Sequence, residues 1–154
     1  MNLMTFLVAL ATAVNGLLAG LNIDTALVKL PARQRIGSVA YATFARGNDL
    51  GHGLVVYPLL GIGAVLLALL ATTLAALTHV AMEMTLLLIL ASVLSLLHTF
   101  ATTKAAPVML SIKDAPDDEV LLRAKFDRFA RWHMVRAIFQ VAVFFILLWT
   151  LVVS

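Results

Sequence analysis

Four apolar runs alternate with charged stretches along this chain. Met1 to Ile23 carries no charged side chain, and neither does Leu54 to Leu77. A third run extends from Met84 to Leu97 and on through His98 to about Thr103. A fourth covers Ala137 to Val153 and needs a few residues ahead of Ala137 to reach spanning length. A membrane-crossing helix requires about 20 mostly apolar residues. The pattern therefore predicts an all-α, integral membrane four-helix bundle in one domain over 1–154, with spans at about 3–28, 53–78, 82–103 and 133–153. The first run lacks the basic flank of a cleaved signal peptide, since only the α-amino group precedes Lys29, so it is read as a span.

The connections follow from the helix breakers. Pro31 is expected to end the first helix, because it has no N–H to donate and it restricts Leu30. Ile36 to Arg46 then suggests a short interfacial helix with Tyr41 and Phe44 at headgroup level, and Gly47, Gly51 and Gly53 loosen the approach to the second span. Pro58 predicts a kink there. Gly16 and Gly20 form a GxxxG pair suited to close helix packing. Pro107 and Pro116 bracket a polar loop, and Asp117, Asp118 and Glu119 suit a helix N-terminus. From there Leu122, Phe126, Phe129, His133, Arg136 and Gln140 step by three and four, which is one helical face that begins apolar and turns polar.

Charge orients this frame. All 11 Lys and Arg residues fall between Lys29 and Arg46 or between Lys104 and Arg136. By the positive-inside rule both basic loops are cytoplasmic, which puts both termini and the short link at His79 and Glu83 outside. Trp132 suits the inner interface, and Trp149 and Ser154 the outer one. With 62% hydrophobic and 12% charged residues, the composition excludes an ordinary soluble domain, and the bacterial inner membrane is the expected setting. The absence of Cys excludes disulfides, thiolate catalysis and Cys-ligated metal sites. The net charge of +3 favours contact with anionic lipid headgroups over nucleic acid, because the bases flank apolar runs. Homo-oligomerisation is left open.

Ionisable groups are costly in a membrane and usually face the bundle interior. Here all four helices place polar side chains at a similar depth near the basic end: Asn22 and Asp24, then His52, then His98, then His133. Helical spacing adds Arg46 and Asp49 to the face of His52, Ser95 and Thr102 to that of His98, and Arg136 and Gln140 to that of His133. Asn15, Ala19 and Asn22 line the first helix, and Tyr57 lies one turn beyond Gly53. Such a layer can supply a general base, and an arginine that stabilises a developing enolate or phenolate. The chemistry that fits is proton abstraction beside a carbonyl in an apolar ring compound arriving from the bilayer. Asp49 and His52 would be base and orienter, His98 and His133 further acid–base or substrate contacts, and Arg136 the anion stabiliser. Asn22, Asp24, Arg46, Tyr57, Thr102, Trp132 and Gln140 would contact the substrate. No cofactor is expected. Two alternatives stand beside this. The same His52, His98 and His133 could hold haem b or a metal, although no HxxxH, ExxH or HExxH spacing occurs. A non-enzymatic subunit or a small exporter could use Asp24 as a proton-coupled site, although carrier sites usually lie at mid-membrane.

Leu30-Pro31-Ala32-Arg33, Arg35-Ile36-Gly37, Ala40-Tyr41-Ala42 and Asp49-Leu50-Gly51 resemble small bacterial four-helix membrane proteins of the anthrone-oxygenase-like family, as does the later Trp132-His133-Met134-Val135-Arg136. That resemblance implies a cofactor-independent oxygenase acting on polycyclic phenolic ketones. Asp49, Trp132 and Arg136 are the positions it would carry over.

Overall fold

The structure is a computed structural model that describes residues 2–153; the expectation for Ser154 lies outside them. Four helices long and apolar enough to cross a membrane form the bundle. The first begins as α1 (Leu3–Asp24), passes through a π-helical turn at Thr25–Lys29 and continues as α2 (Leu30–Ile36). α3 (Ser38–Gly47) leads through a second π-helical turn, Asn48–His52, into α4 (Gly53–Thr78). α5 (Met82–Leu110) and α6 (Glu119–Val152) complete the fold. Each helix packs on its neighbours in the cyclic order α1, α4, α5, α6 and back to α1, as in an up-and-down bundle.

Three of the helix breakers act differently from the sequence expectation. Pro107 does not open the α5–α6 loop: it lies inside α5, which runs on to Leu110. Pro31 does not end the first helix. The π turn lets the Leu30 N–H bond five residues back to the Thr25 carbonyl, and Pro31 sits in the first turn of α2, where a missing N–H is tolerated. The stop falls at Gly37, whose φ of 85° is open to glycine at no steric cost. α4 runs unbroken through Pro58, and the backbone departs from helical geometry at Gly51 instead. At the far end His79 adopts a left-handed conformation with φ 51°, caps α4 through the Ala75 carbonyl and remains exposed, as befits a link residue.

The interior is layered. Met4, Val8, Ala71, Leu88, Val143 and Leu147 belong to an apolar cluster at the end opposite the basic loops. Tyr41, Met109, Ile112, Leu122, Phe126 and Phe129 belong to a second cluster at the basic end. Between them lies the buried polar layer of Asn15, Asn22, His98, His133 and Gln140. Tyr41 is therefore a core residue, edge-on to Phe126 at 4.9 Å, whereas Phe44 is exposed. The GxxxG pair divides in a similar way. A Cβ on Gly16 would meet the Phe144 ring at 2.9 Å, whereas one on Gly20 would meet nothing within 4 Å.

α6 is 34 residues long, roughly 51 Å at 1.5 Å per residue, so it outreaches a hydrocarbon core about 30 Å thick. Its first turns hold the basic-end segments together. Asp118 caps α6 through the Val120 and Leu121 N–H groups at 2.8 and 3.0 Å. Glu119 reaches across to cap α3, accepting from the Ser38 and Val39 N–H groups at 2.6 and 3.0 Å. Arg33 pairs with Asp127.

The Glu119 carboxyl, which lies outside the apolar stretch of α6, is held below its ordinary value, first by the Ser38 backbone N–H and then by the Ser38 side chain and Val39 N–H. A depressed folded value means that the stabilisation is complete above the ordinary glutamate range, about 4.3, and fades as pH falls through the folded value. Glu119→Gln should lower the thermal unfolding temperature at neutral pH, and the gap to the parent protein should close on acidification below that range. A gap unchanged with pH in detergent-solubilised protein would show that the carboxylate charge contributes nothing to the cap.

Candidate functional site

A cavity of about 340 Å³ lies beside the polar layer, within the size range of small-molecule pockets. Its walls are mainly apolar, with Leu18, Leu21, Val65, Met109 and Phe129 among them. Its polar side chains come from few residues: Asn22 and Thr25 of the first helix, Asp49 and Tyr57 around the second π turn, His98, Thr99 and Thr102 of α5, and Arg136 of α6. Both π turns touch the cavity, through Thr25 and through Asp49 with Leu50, which accords with the tendency of such turns to occur at functional sites.

The cavity is covered at the basic end by the second apolar cluster and opens sideways. Between Gly53 and Ala64, α4 buries no residue; from Ala64 its buried stripe is Ala64, Ala68, Ala71 and Ala75. Leu54 and Ile62 of α4 and Leu110 of α5 line the cavity and are also exposed, at 42%, 58% and 48%. The basic-end half of α4 thus stands away from the bundle, and the cavity meets the apolar exterior between α4 and α5.

Two opposite charges face this space without touching. Asp49 is 8% exposed. Its Oδ1 accepts from Asn48 Nδ2 at 2.9 Å and from the Tyr57 hydroxyl at 3.2 Å, while its Oδ2 is buried with no partner. Tyr57 is pressed against Gly53, where a Cβ would lie 2.7 Å from the ring. Arg136 donates from Nε to His133 Nδ1 at 3.0 Å and lies over the Phe129 ring at 5.9 Å. No ion pair joins it to Asp49 among the described residues, although each charge feels the other.

His133 is fully buried and fixed at both nitrogens. A carbonyl can only accept, so Nε2 carries the proton and donates to the Asn22 carbonyl at 3.0 Å, which leaves Nδ1 to accept from Arg136. It is absent from the cavity wall and acts as the brace for Arg136. Asn22 supplies that carbonyl while its own Nδ2 is buried without a partner. His98 lines the cavity, and its Nδ1 donates to the Arg136 carbonyl at 3.0 Å. Thr102 donates to the His98 carbonyl at 2.9 Å.

Several residues expected at this site lie elsewhere. His52 is exposed and off the cavity wall, because the non-helical backbone at Gly51 breaks the three-residue spacing that would align it with Asp49. Arg46 turns to the α5–α6 loop, bonding the Ile112 and Ala115 carbonyls and Asp117 at 3.3, 2.6 and 2.8 Å. Asp24 pairs with Lys29 at 2.9 Å across the first π turn and does not line the cavity. Trp132 packs on the basic-end apolar cluster. Gln140 lies deeper, where its Nε2 donates to the Asn15 side chain at 2.8 Å and ties α6 to α1. Asn48 and Gly61 had not stood out in the sequence: an asparagine beside a carboxylate and a glycine in an apolar helix carry little signal alone. The histidines do not fit a bis-histidine haem site in this arrangement, since both His133 nitrogens are engaged and His52 is exposed and does not line the cavity with His98.

Gly61 offers a test of the cavity. It lines the space, and a Cβ there would meet nothing within 4 Å. Gly61→Phe should fold as stably as the parent, because replacing a mid-helix glycine gains a few tenths of a kcal/mol in helix propensity. It should weaken binding of an apolar fluorescent probe at least tenfold. Unchanged affinity in a fluorescence titration would place the probe outside this cavity.

Comparisons with protein-family models, with curated proteins and with solved structures found no significant match to this chain.

Proposed function

We propose that this chain is a membrane enzyme that removes a proton beside a carbonyl in a lipid-soluble ring compound. The observation that carries the reading is the separated pair: Asp49, with one buried carboxylate oxygen left without a partner, and Arg136, bonded through Nε alone among the described residues, both line one apolar cavity. A ligand with an acidic C–H next to a carbonyl satisfies both. Its proton goes to Asp49, and the enolate oxygen forming as the C–H bond breaks is stabilised by Arg136. Tyr57 and Asn48 hold the carboxylate by its other oxygen, and His133 holds the guanidinium, so neither group has to reorganise.

The resemblance to anthrone-oxygenase-like proteins narrows the proposal to phenolic polycyclic ketones whose enolate reacts with dioxygen. Apolar walls and the sideways opening suit a substrate that partitions into lipid. The membrane is taken as the bacterial inner membrane, with the basic end in the cytoplasm and both termini outside.

Anthrone is a suitable probe. The purified protein should consume dioxygen in its presence, Asp49→Asn should reduce the rate by about 10²–10⁴-fold, and Arg136→Gln by about 10²–10³-fold. Parent-level rates in both variants would remove these residues from the chemistry. A periplasm-active reporter fused after Ser154 should be active; activity of a cytoplasmic reporter at that position would invert the orientation.

A further inference from the structure

His98 and His133 each donate to a backbone carbonyl, yet only one is left with a free nitrogen. His133 spends its second nitrogen on Arg136. His98 gives its Nδ1 proton to the Arg136 carbonyl, so in the neutral ring the Nε2 lone pair is free, and no hydrogen bond among the described residues engages it. This residue lines the cavity on α5, while Asp49 lines it from the turn before α4. Two proton acceptors therefore face one space from different walls, and each is fixed by its other polar atom.

We propose that His98 Nε2 is a second proton acceptor of this cavity, so that the site takes two protons from one substrate molecule. The inference rests on reading the cavity as a site of proton abstraction beside a carbonyl, and it makes the substrate a ring methylene compound. The two C–H bonds of a ring methylene point to opposite faces of the ring, and one fixed carboxylate reaches only one of them. Asp49 takes the first proton. The enolate passes one electron to dioxygen, the two radicals join in a C–O bond, and the peroxide anion recovers the proton from Asp49 to give a hydroperoxide. His98 then takes the remaining C–H proton. That electron pair forms the new C=O bond as the O–O bond breaks, and the departing hydroxide takes the proton from His98 to become water. The sum is a methylene and dioxygen converted to a ketone and water.

The test follows dioxygen uptake and quinone formation separately, with anthrone as the probe and the full chain in lipid nanodiscs. His98→Gln can still donate to the Arg136 carbonyl but offers no base. It should keep dioxygen uptake, slow quinone formation at least tenfold and accumulate hydroperoxide, whereas Asp49→Asn should stop uptake itself. Equal slowing of both steps in His98→Gln, or no slowing of either, overturns the proposal. A readout independent of turnover is the ¹⁵N spectrum of labelled histidine, in which His98 should be the Nδ1-protonated tautomer with an Nε2 signal that moves when anthrone binds. An Nε2-protonated His98, or a signal indifferent to the probe, also overturns it. If the Nε2 signal moves but the parent protein consumes no dioxygen, the second acceptor stands and the oxygenation reading falls.

Discussion

The hydrogen bond from His133 Nε2 to the Asn22 carbonyl governs the site, because it decides the state of everything around it. It fixes the His133 tautomer, and the tautomer makes Nδ1 an acceptor for Arg136 Nε. Arg136 is thereby held by Nε, with no ion pair to a carboxylate among the described residues. The same bond ties α1 to α6 at the depth of the cavity. Were His133 to gain a second proton, its Nδ1 would become a donor facing the Nε–H of Arg136, and both the brace and the guanidinium would be lost together. The arrangement therefore depends on a histidine that stays neutral.

Arg136 and Asp49 show why an opposite pair can remain open. A buried ion pair is favourable only when geometry and further hydrogen bonds offset desolvation. Here each charge has found separate support, Asp49 from Tyr57 and Asn48, Arg136 from His133 and the Phe129 face. The gap between them is maintained by these secondary contacts, so the charges do not collapse onto each other.

The helical frame and the face of α6 were legible in the sequence, because apolar length and three–four spacing are properties of the chain itself. Leu122, Phe126, Phe129, His133 and Gln140 are all buried along α6, and Asn15, Ala19 and Asn22 along α1. What could not be read was where two π turns would rotate the side chains. A single extra residue in a turn changes the face that follows it, which is why His52 left the set to which Asp49 belongs and why Asp24 found Lys29. Depth was also only half legible. Asn22, His98 and His133 of the expected layer are buried, but the second apolar cluster that covers them depends on Tyr41 and Phe126 meeting across elements far apart in sequence.

The alanine stripe of α4 has a mechanical consequence. Ala64, Ala68, Ala71 and Ala75 let this helix approach its neighbours closely in the half away from the basic loops, whereas the half nearer them buries only Gly53. The helix is thus held like a cantilever, packed along one half and with no buried residue between Gly53 and Ala64 in the other. A molecule passing sideways over that stretch would displace little of the apolar packing that keeps the bundle folded.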